Sequence, residues 1–158
     1  MSSVVGLFDD RAQAESAVSE IRNRGIARER ISIVARKDKF EGGDERQGVM
    51  DQNLTDGTVT GGTLGGMAGI LGSAGALAIP GIGPILAAGP LAAGLTGAVG
   101  GGIAGGLVDL GITEDRGRFY EEEVKKGGIL ASVEADNQQV EDIASVMREH
   151  GAREVENH

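Results

Sequence analysis

Residues 57–108 read GTVTGGTLGGMAGILGSAGALAIPGIGPILAAGPLAAGLTGAVGGGIAGGLV and contain no charged side chain. Glycine makes up about a third of this segment, which also holds all three prolines of the chain. Its length is roughly twice the 20 residues that a helix needs to span a bilayer core. The segment is therefore predicted to be either a membrane hairpin or a packing surface that is buried in an assembly.

Glycines recur every four residues near both ends of this segment. The two rows are Gly61, Gly65 and Gly69, and Gly97, Gly101 and Gly105. This spacing places small residues along one face of a helix, where a second backbone can approach closely. Each glycine costs a helix in water about 1 kcal/mol relative to alanine, so the rows must be buried to be stable. They are predicted to be helix-packing and oligomerisation contacts.

The motif IPGIGP interrupts the helical pattern in the middle of the segment, because proline and glycine end one helix and begin another. We predict two helices, over residues 59–79 and 85–109, which fold back on each other as a glycine-zipper hairpin. Pro90 is expected to kink the second helix or to delay its start. The turn is assigned to Pro80, Gly81, Gly83 and Pro84.

The sequences on the two sides of the segment resemble each other. Each reads as strand, helix and strand, and the spacing from Asp10 to Gly25 equals that from Asp136 to Gly151. The apolar stripes also superimpose: Ala14, Ala17 and Ile21 fall on Val140, Ile143 and Met147. Two β-α-β units predict an α+β fold, a ferredoxin-like split β-α-β domain with two helices on one face of an antiparallel sheet.

Four parts of the chain follow from these patterns. Residues 1–36 are the first half of the α+β domain, and residues 37–56 are an acidic linker. Residues 57–111 are the glycine-zipper helical hairpin. Residues 112–158 hold a further helix, capped by Thr113, and then the second half of the domain. The hairpin is thus predicted to interrupt a single small domain.

The charge and composition exclude several functions. The net charge is −9 and no cluster of Lys and Arg is present, so binding to nucleic acid is not expected. The absence of cysteine excludes disulfides and thiolate chemistry. The N-terminus lacks the basic region of a signal peptide. We therefore expect a location in the cytoplasm, or at the cytoplasmic face of the membrane.

Two motifs that suggest ligand binding are rejected. Gly100-x-Gly102-x-x-Gly105 matches a dinucleotide fingerprint, but it lies within a helical Ala/Gly pattern and not after a strand. DQNLTDG, residues 51–57, resembles a calcium loop, but its glycine is one position late and its twelfth position is not a glutamate. No cofactor or metal site is predicted.

The remaining candidates for chemistry are better explained by structure. Asp9 and Asp10 form a carboxylate pair, but one of them is expected to cap the first helix. His150 and His158 have no evident nucleophile or metal partner in the sequence, and both are expected to be solvated. We therefore predict no catalytic residue and no enzyme activity.

The outer parts of the chain resemble a known family. Residues 4–36, VVGLFDDRAQAESAVSEIRNRGIARERISIVAR, are similar to the opening of bacterial general stress proteins of the heat-induced YflT / 17M-like domain family. Residues 113–152, TEDRGRFYEEEVKKGGILASVEADNQQVEDIASVMREHGA, resemble the second half of those proteins, in which an apolar Gly-rich insertion is common. The resemblance implies the α+β fold and an association with stress, but it implies no active-site residues.

The sequence favours a non-catalytic, stress-related protein that self-associates through its glycine-zipper hairpin and contacts the membrane. Its predicted partners are further copies of itself and a lipid bilayer. Two alternatives remain open. The first is a soluble homo-oligomeric assembly in which the hairpin is buried between subunits. The second is a ferredoxin-like module that senses a small ligand.

Overall fold

The computed structural model describes residues 2–38, 75–79, 82–97 and 102–158. These residues form a mixed α+β structure, which confirms the predicted class. The strands are β1 (Ser2–Phe8), β2 (Ile31–Arg36), β3 (Gly75–Ile79), β4 (Gly83–Ala88), β5 (Ile129–Ala135) and β6 (Arg153–Asn157). The helices are α1 (Arg11–Asn23), α2 (Pro90–Gly97), α3 (Ile103–Asp109), α4 (Glu114–Lys125) and α5 (Val140–Glu149).

The six strands form one antiparallel sheet in the order β3-β4-β2-β5-β1-β6. Strand β5 lies between β1 and β2, with Val133 opposite both Val4 and Ile31. Strands from the N-terminal part of the chain (β1 and β2) thus alternate in the sheet with strands from the C-terminal part (β5 and β6). Strands β3 and β4, which come from the uncharged segment, extend it beyond β2.

Helices α1 and α5 cover one face of the sheet. Their stripes were predicted from the sequence, and all of these side chains are buried: Ala14, Ala17, Val18, Ile21, Val140, Ile143, Ala144 and Met147. They pack on Val4, Phe8 and Ile33 of the sheet. Asp10 caps the N-terminus of α1, and its carboxylate accepts a hydrogen bond from the Ala12 amide at 2.9 Å. The residues that follow these two helices, Gly25 and Gly151, adopt positive φ, as expected at helix ends.

The predicted helical hairpin is wrong over residues 75–88, which form the antiparallel hairpin of β3 and β4. The chain reverses between Ile79 and Gly83, which face each other across the two strands. The residue before a proline is biased towards extended backbone, and this applies to Ile79, the last residue of β3, which precedes Pro80. The edge of β2 then supplies hydrogen bonds that favour strand, and this pairing overrides the high intrinsic helix propensity of Ala and Leu.

The second predicted helix is also corrected. It does not run from residue 85 to 109 but consists of two shorter helices, α2 and α3. Helix α2 starts at Pro90, one of the two effects expected of that proline. Gly102, with φ +96°, precedes α3. The first predicted helix, over residues 59–79, lies outside the described residues except for its last five, which are β3.

Candidate functional site

The second face of the sheet is covered by a helical layer, which consists of α2, α3 and α4. Beneath it lie fully buried apolar side chains of the central strands, including Val5, Leu7, Val34 and Leu130. The layer contributes the buried side chains Leu91, Leu95, Ile103, Leu107, Tyr120 and Val124. The described part of the uncharged segment therefore contributes to the core of the domain, and its junction with the sheet is the candidate functional site.

Glycines allow the three helices of the layer to approach one another closely. A Cβ added at Gly94 of α2 would lie 3.2 Å from Cα of Gly106 in α3. A Cβ at Gly117 of α4 would lie 3.0 Å from the carbonyl oxygen of Ala104 in α3. Both contacts are between backbones, so a side chain at either glycine requires the helices to separate. The helices thus pack as small residues predict, but within one chain.

Helix α2 is joined to the sheet at its first turn. The Leu91 amide donates a hydrogen bond to the buried Ser32 hydroxyl of β2 at 3.1 Å. Gly89, with φ +85°, turns the chain from β4 into the helix, and an added Cβ would overlap the carbonyl oxygen of Ile31. The Ser32 hydroxyl, from β2, therefore caps the N-terminus of α2 by accepting a hydrogen bond from one of its free amides.

Helix α3 is capped in a similar way. The Ala104 amide donates to Oε2 of Glu121 in α4 at 3.0 Å. A carboxylate at a helix N-terminus satisfies a free amide and interacts favourably with the helix dipole. Since residues 57–108 contain no acidic side chain, the carboxylate for this cap comes from outside the segment. The outer parts of the chain thus hold α2 and α3 in place.

A charged cluster ties α4 to β6. Arg116 forms ion pairs with Glu154 at 3.0 Å and Glu156 at 2.6 Å, and it stacks on the Phe119 ring at 4.5 Å from the centroid. The Tyr120 hydroxyl, at the end of a buried ring, donates to the carbonyl oxygen of Glu154 at 2.9 Å. This cluster closes the helical layer over the β1-β6 side of the sheet.

Burial and hydrogen bonding shift the pKa values of three side chains in this cluster. Burial lowers the pKa of Arg116, but hydrogen bonds to Glu156 and Glu154 outweigh burial and raise that pKa above its ordinary value. Burial raises the pKa of Tyr120. Burial also raises the pKa of Glu156, but hydrogen bonds from Arg116 and His158 outweigh it and lower the pKa. The arginine is therefore cationic, the tyrosine neutral and Glu156 anionic near neutral pH, which suits an electrostatic clamp.

Glu156→Gln is expected to reduce the loss of Tm at acidic pH, which is the acid limb of the curve of Tm against pH. Because folding lowers the pKa of Glu156 from its ordinary 4.5, its carboxylate stabilises the fold above that pH. This contribution is lost as the pH falls through the folded-state pKa. Thermal unfolding from about pH 7 to about pH 3 should show a steeper loss of Tm below pH 4.5 for the unmodified chain than for the variant.

The control for this measurement is Glu122→Gln, since Glu122 is an exposed carboxylate of α4. The control should retain the acid limb of the unmodified chain. Parallel acid limbs for Glu156→Gln and the unmodified chain would contradict the clamp.

The polar residues considered for chemistry have structural partners. Asp10 caps α1, and Asp9 forms an ion pair with Arg153. The histidines were expected to be solvated, and this is corrected: His150 Nε2 lies 2.7 Å from Glu20, and His158 Nε2 lies 3.1 Å from Glu156. Within the described ranges, no group of three or more His, Cys, Asp or Glu side chains is placed to hold a metal ion.

Most of the glycines that were predicted to pack helices lie outside the residues that the structure describes. Gly61, Gly65, Gly69 and Gly101 fall outside the described residues, as do the turn residues Pro80 and Gly81. Gly97 is the last residue of α2, Gly105 is half-buried in α3, and Gly83 and Pro84 open β4. Gly100, Gly101 and most of the acidic linker of residues 37–56 also lie outside the described part. Among the glycines that the structure describes, Gly89, Gly94, Gly106 and Gly117 make close contacts within the helical layer or with the sheet.

Two of the residues that the prediction missed carry a signal in the sequence. Gly117 interrupts EDRGRFYEEEVK, which is otherwise a good helix-forming sequence, and Ser32 interrupts the apolar strand ISIVAR. Glu121 is one of three consecutive glutamates and has no such signal. A lone glycine in a helix and a lone serine in a buried strand thus each marked a close contact.

In the part of the chain that the structure describes, no helix has the length and apolar character needed to cross a membrane. Helices α2 and α3 have eight and seven residues. A bilayer core requires about 20.

Comparison with known proteins supplies no site that could be transferred to this chain. No protein-family model matches the sequence, and no curated protein or solved structure matches it. The candidate site therefore rests on the geometry of the chain itself.

Proposed function

We propose that this chain is a non-catalytic, stress-related protein that self-associates, and that its uncharged insertion is the element of assembly. The association with stress rests on the resemblance of residues 4–36 and 113–152 to general stress proteins. The assembly role rests on how the insertion joins the sheet.

We further infer that β1, β2, β5 and β6, with α1 and α5, form a ferredoxin-like unit. The strand order β2-β5-β1-β6 supports this. The strands of the first β-α-β unit, β1 and β2, lie on either side of β5, and those of the second, β5 and β6, lie on either side of β1. Two interleaved β-α-β units with their helices on one face are typical of that fold. Strands β3 and β4 and the helical layer are then additions to it.

The observation that carries the assembly proposal is the position of β3 at the edge of the sheet that the described residues form. The outermost strand of the sheet thus comes from a segment without charge, in a chain of net charge −9. Edge strands present unpaired backbone groups and are the usual sites of pairing between chains unless charges or distortions protect them. Uncharged residues at an edge favour association.

The rest of the described surface offers little else for apolar association. Among side chains that the structure describes, Val108 is the one large hydrophobic residue that is exposed, at 45%. The close glycine contacts of the helical layer are used inside the chain. Self-association is therefore assigned to the insertion, but not to Gly94, Gly106 or Gly117.

Sedimentation velocity of the full chain over a range of concentrations tests self-association. We expect oligomers without lipid, and more of them at about 0.5 M than at about 0.05 M salt, because salt screens the repulsion between acidic chains. A chain that stays monomeric at every concentration and salt level overturns the proposal.

Membrane contact is the second possible role of the insertion, and flotation with vesicles of phosphatidylethanolamine and phosphatidylglycerol tests it separately. Oligomers that remain at the bottom of the gradient support assembly without lipid. If the chain floats with vesicles and is monomeric without them, self-association is overturned and membrane binding becomes the function of the insertion.

A further inference from the structure

Within the part of the chain that the structure describes, the two edges of the sheet differ in how well they are protected against pairing. At one edge, β6 carries Arg153, Glu154 and Glu156, its register with β1 is irregular, and Glu154 has φ +52°. Charges and irregular backbone are common devices that prevent a second strand from adding. Strand β3, GALAI, has neither a charge nor an internal proline. The unprotected edge is therefore β3.

The backbone groups that β3 presents follow from its register. Pro84 of β4 has no N–H, and its carbonyl accepts a hydrogen bond from Lys37 at 3.1 Å, on the side of β2. Antiparallel pairs alternate between hydrogen-bonded and non-hydrogen-bonded, so Ala78, opposite Pro84, is not hydrogen-bonded to β4. Ala76, two residues before Ala78, is likewise not hydrogen-bonded to β4. The N–H and C=O groups of Ala76 and Ala78 therefore point away from β4, where no described residue pairs with them.

This arrangement is complementary to itself. A second copy can pair antiparallel with β3 about a two-fold axis that passes beside Leu77. Ala76 of each chain then lies opposite Ala78 of the other chain. Each of these two pairs exchanges two bonds, which makes about four N–H···O=C hydrogen bonds. Two Leu77 residues then face each other as a non-hydrogen-bonded pair. The absence of charge in the segment removes repulsion at the point of contact.

We propose that the β3 strands of two copies pair antiparallel about Leu77, so that the two six-stranded sheets become one continuous sheet. This inference rests on the proposed self-association and specifies its partner and geometry. The occupant is a second copy because a closed two-fold contact satisfies the exposed groups of both chains at once.

A single cysteine tests the geometry, since the natural chain contains none. In Leu77→Cys, the two thiols should lie across a non-hydrogen-bonded pair, where opposite Cα atoms are about 4.5 Å apart and a disulfide can form. Under mild oxidation we expect disulfide dimers on non-reducing gels. Asn157→Cys, at an exposed position of β6, is the control and should cross-link roughly tenfold more slowly.

A proline at the outward-facing position tests the hydrogen bonds. Ala76→Pro removes the outward N–H but no bond to β4, and proline is tolerated at strand edges. We expect the dimer dissociation constant to rise about tenfold or more, because one hydrogen bond is lost from each chain. Ala76→Val keeps the N–H and should keep the dimer. Circular dichroism should show both variants folded.

The outcomes separate the two proposals. If the unmodified chain is monomeric, self-association itself fails, and this inference fails with it. If the chain associates, but Leu77→Cys cross-links no faster than Asn157→Cys, edge pairing is overturned while self-association stands. The cysteine result decides this even if Ala76→Pro does not fold.

Discussion

Replacing Gly89 with alanine is expected to lower the free energy of unfolding by roughly 2–5 kcal/mol, a large part of the stability of a domain of this size. Gly89 has φ +85°, and an added Cβ would overlap the Ile31 carbonyl and lie 2.8 Å from Cα of Ser32. Both of these atoms belong to the backbone of β2, so no side-chain rotation can relieve the overlap. The β2-β4 pair or the start of α2 must move.

Gly25→Ala is the matched control for this prediction. Gly25 has a similar φ of +94°, but nothing lies within 4 Å of the position of its Cβ. This variant carries only the penalty of a left-handed alanine, about 1–2 kcal/mol. Urea denaturation of both variants gives the comparison. Equal losses of stability would show that the junction of β4 and α2 is not closely packed on β2.

Deleting residues 37–111 and joining β2 to α4 through a flexible Gly/Ser linker is expected to abolish cooperative folding. The deletion removes α2 and α3 from the second face of the sheet and exposes side chains such as Leu7, Val34 and Leu130. Each fully buried side chain of this kind contributes about 1.5–3 kcal/mol. Even partial exposure of the set therefore approaches the total stability of about 5–15 kcal/mol.

Broad thermal unfolding, aggregation and binding of a hydrophobic dye should reveal this loss. The matched variant adds Leu7→Thr, Val34→Thr and Leu130→Thr to the deletion, which makes the exposed face polar while keeping strand-forming residues. It should recover solubility. A deletion chain that unfolds sharply, as a monomer, without these changes would show that the helical layer is only an appendage.

The outer parts of the fold could be predicted well from the sequence. The apolar pattern of SVVGLF is that of a strand buried on both faces, and in the structure Val5 and Leu7 lie on one face and Val4 and Phe8 on the other. The caps and helix ends at Asp10, Gly25 and Gly151 also follow from local chemistry. These signals succeed because each depends on residues that are close together in the chain.

The insertion was harder to predict because its residues satisfy two periodicities. Ala, Leu and Ile at close spacing fit a helix, but GALAI and GPILAA also fit strands, and the free edge of β2 decided between them. The four-residue glycine spacing predicted close helix packing at Gly61, Gly65, Gly69, Gly97, Gly101 and Gly105, most of which lie outside the described residues. It did not identify Gly117, which lies outside the segment, or Ser32 and Glu121, which cap its helices from distant positions.

The amino-acid sequence was enough to show that residues 57–108 lack charge and to predict a strand–helix–strand unit on either side of them. These are properties of composition and local spacing. Only the tertiary structure decided what the segment packs against. An uncharged segment gains by burial against any apolar surface, and the surface it meets depends on where β2 ends and which face of the sheet α1 and α5 leave open.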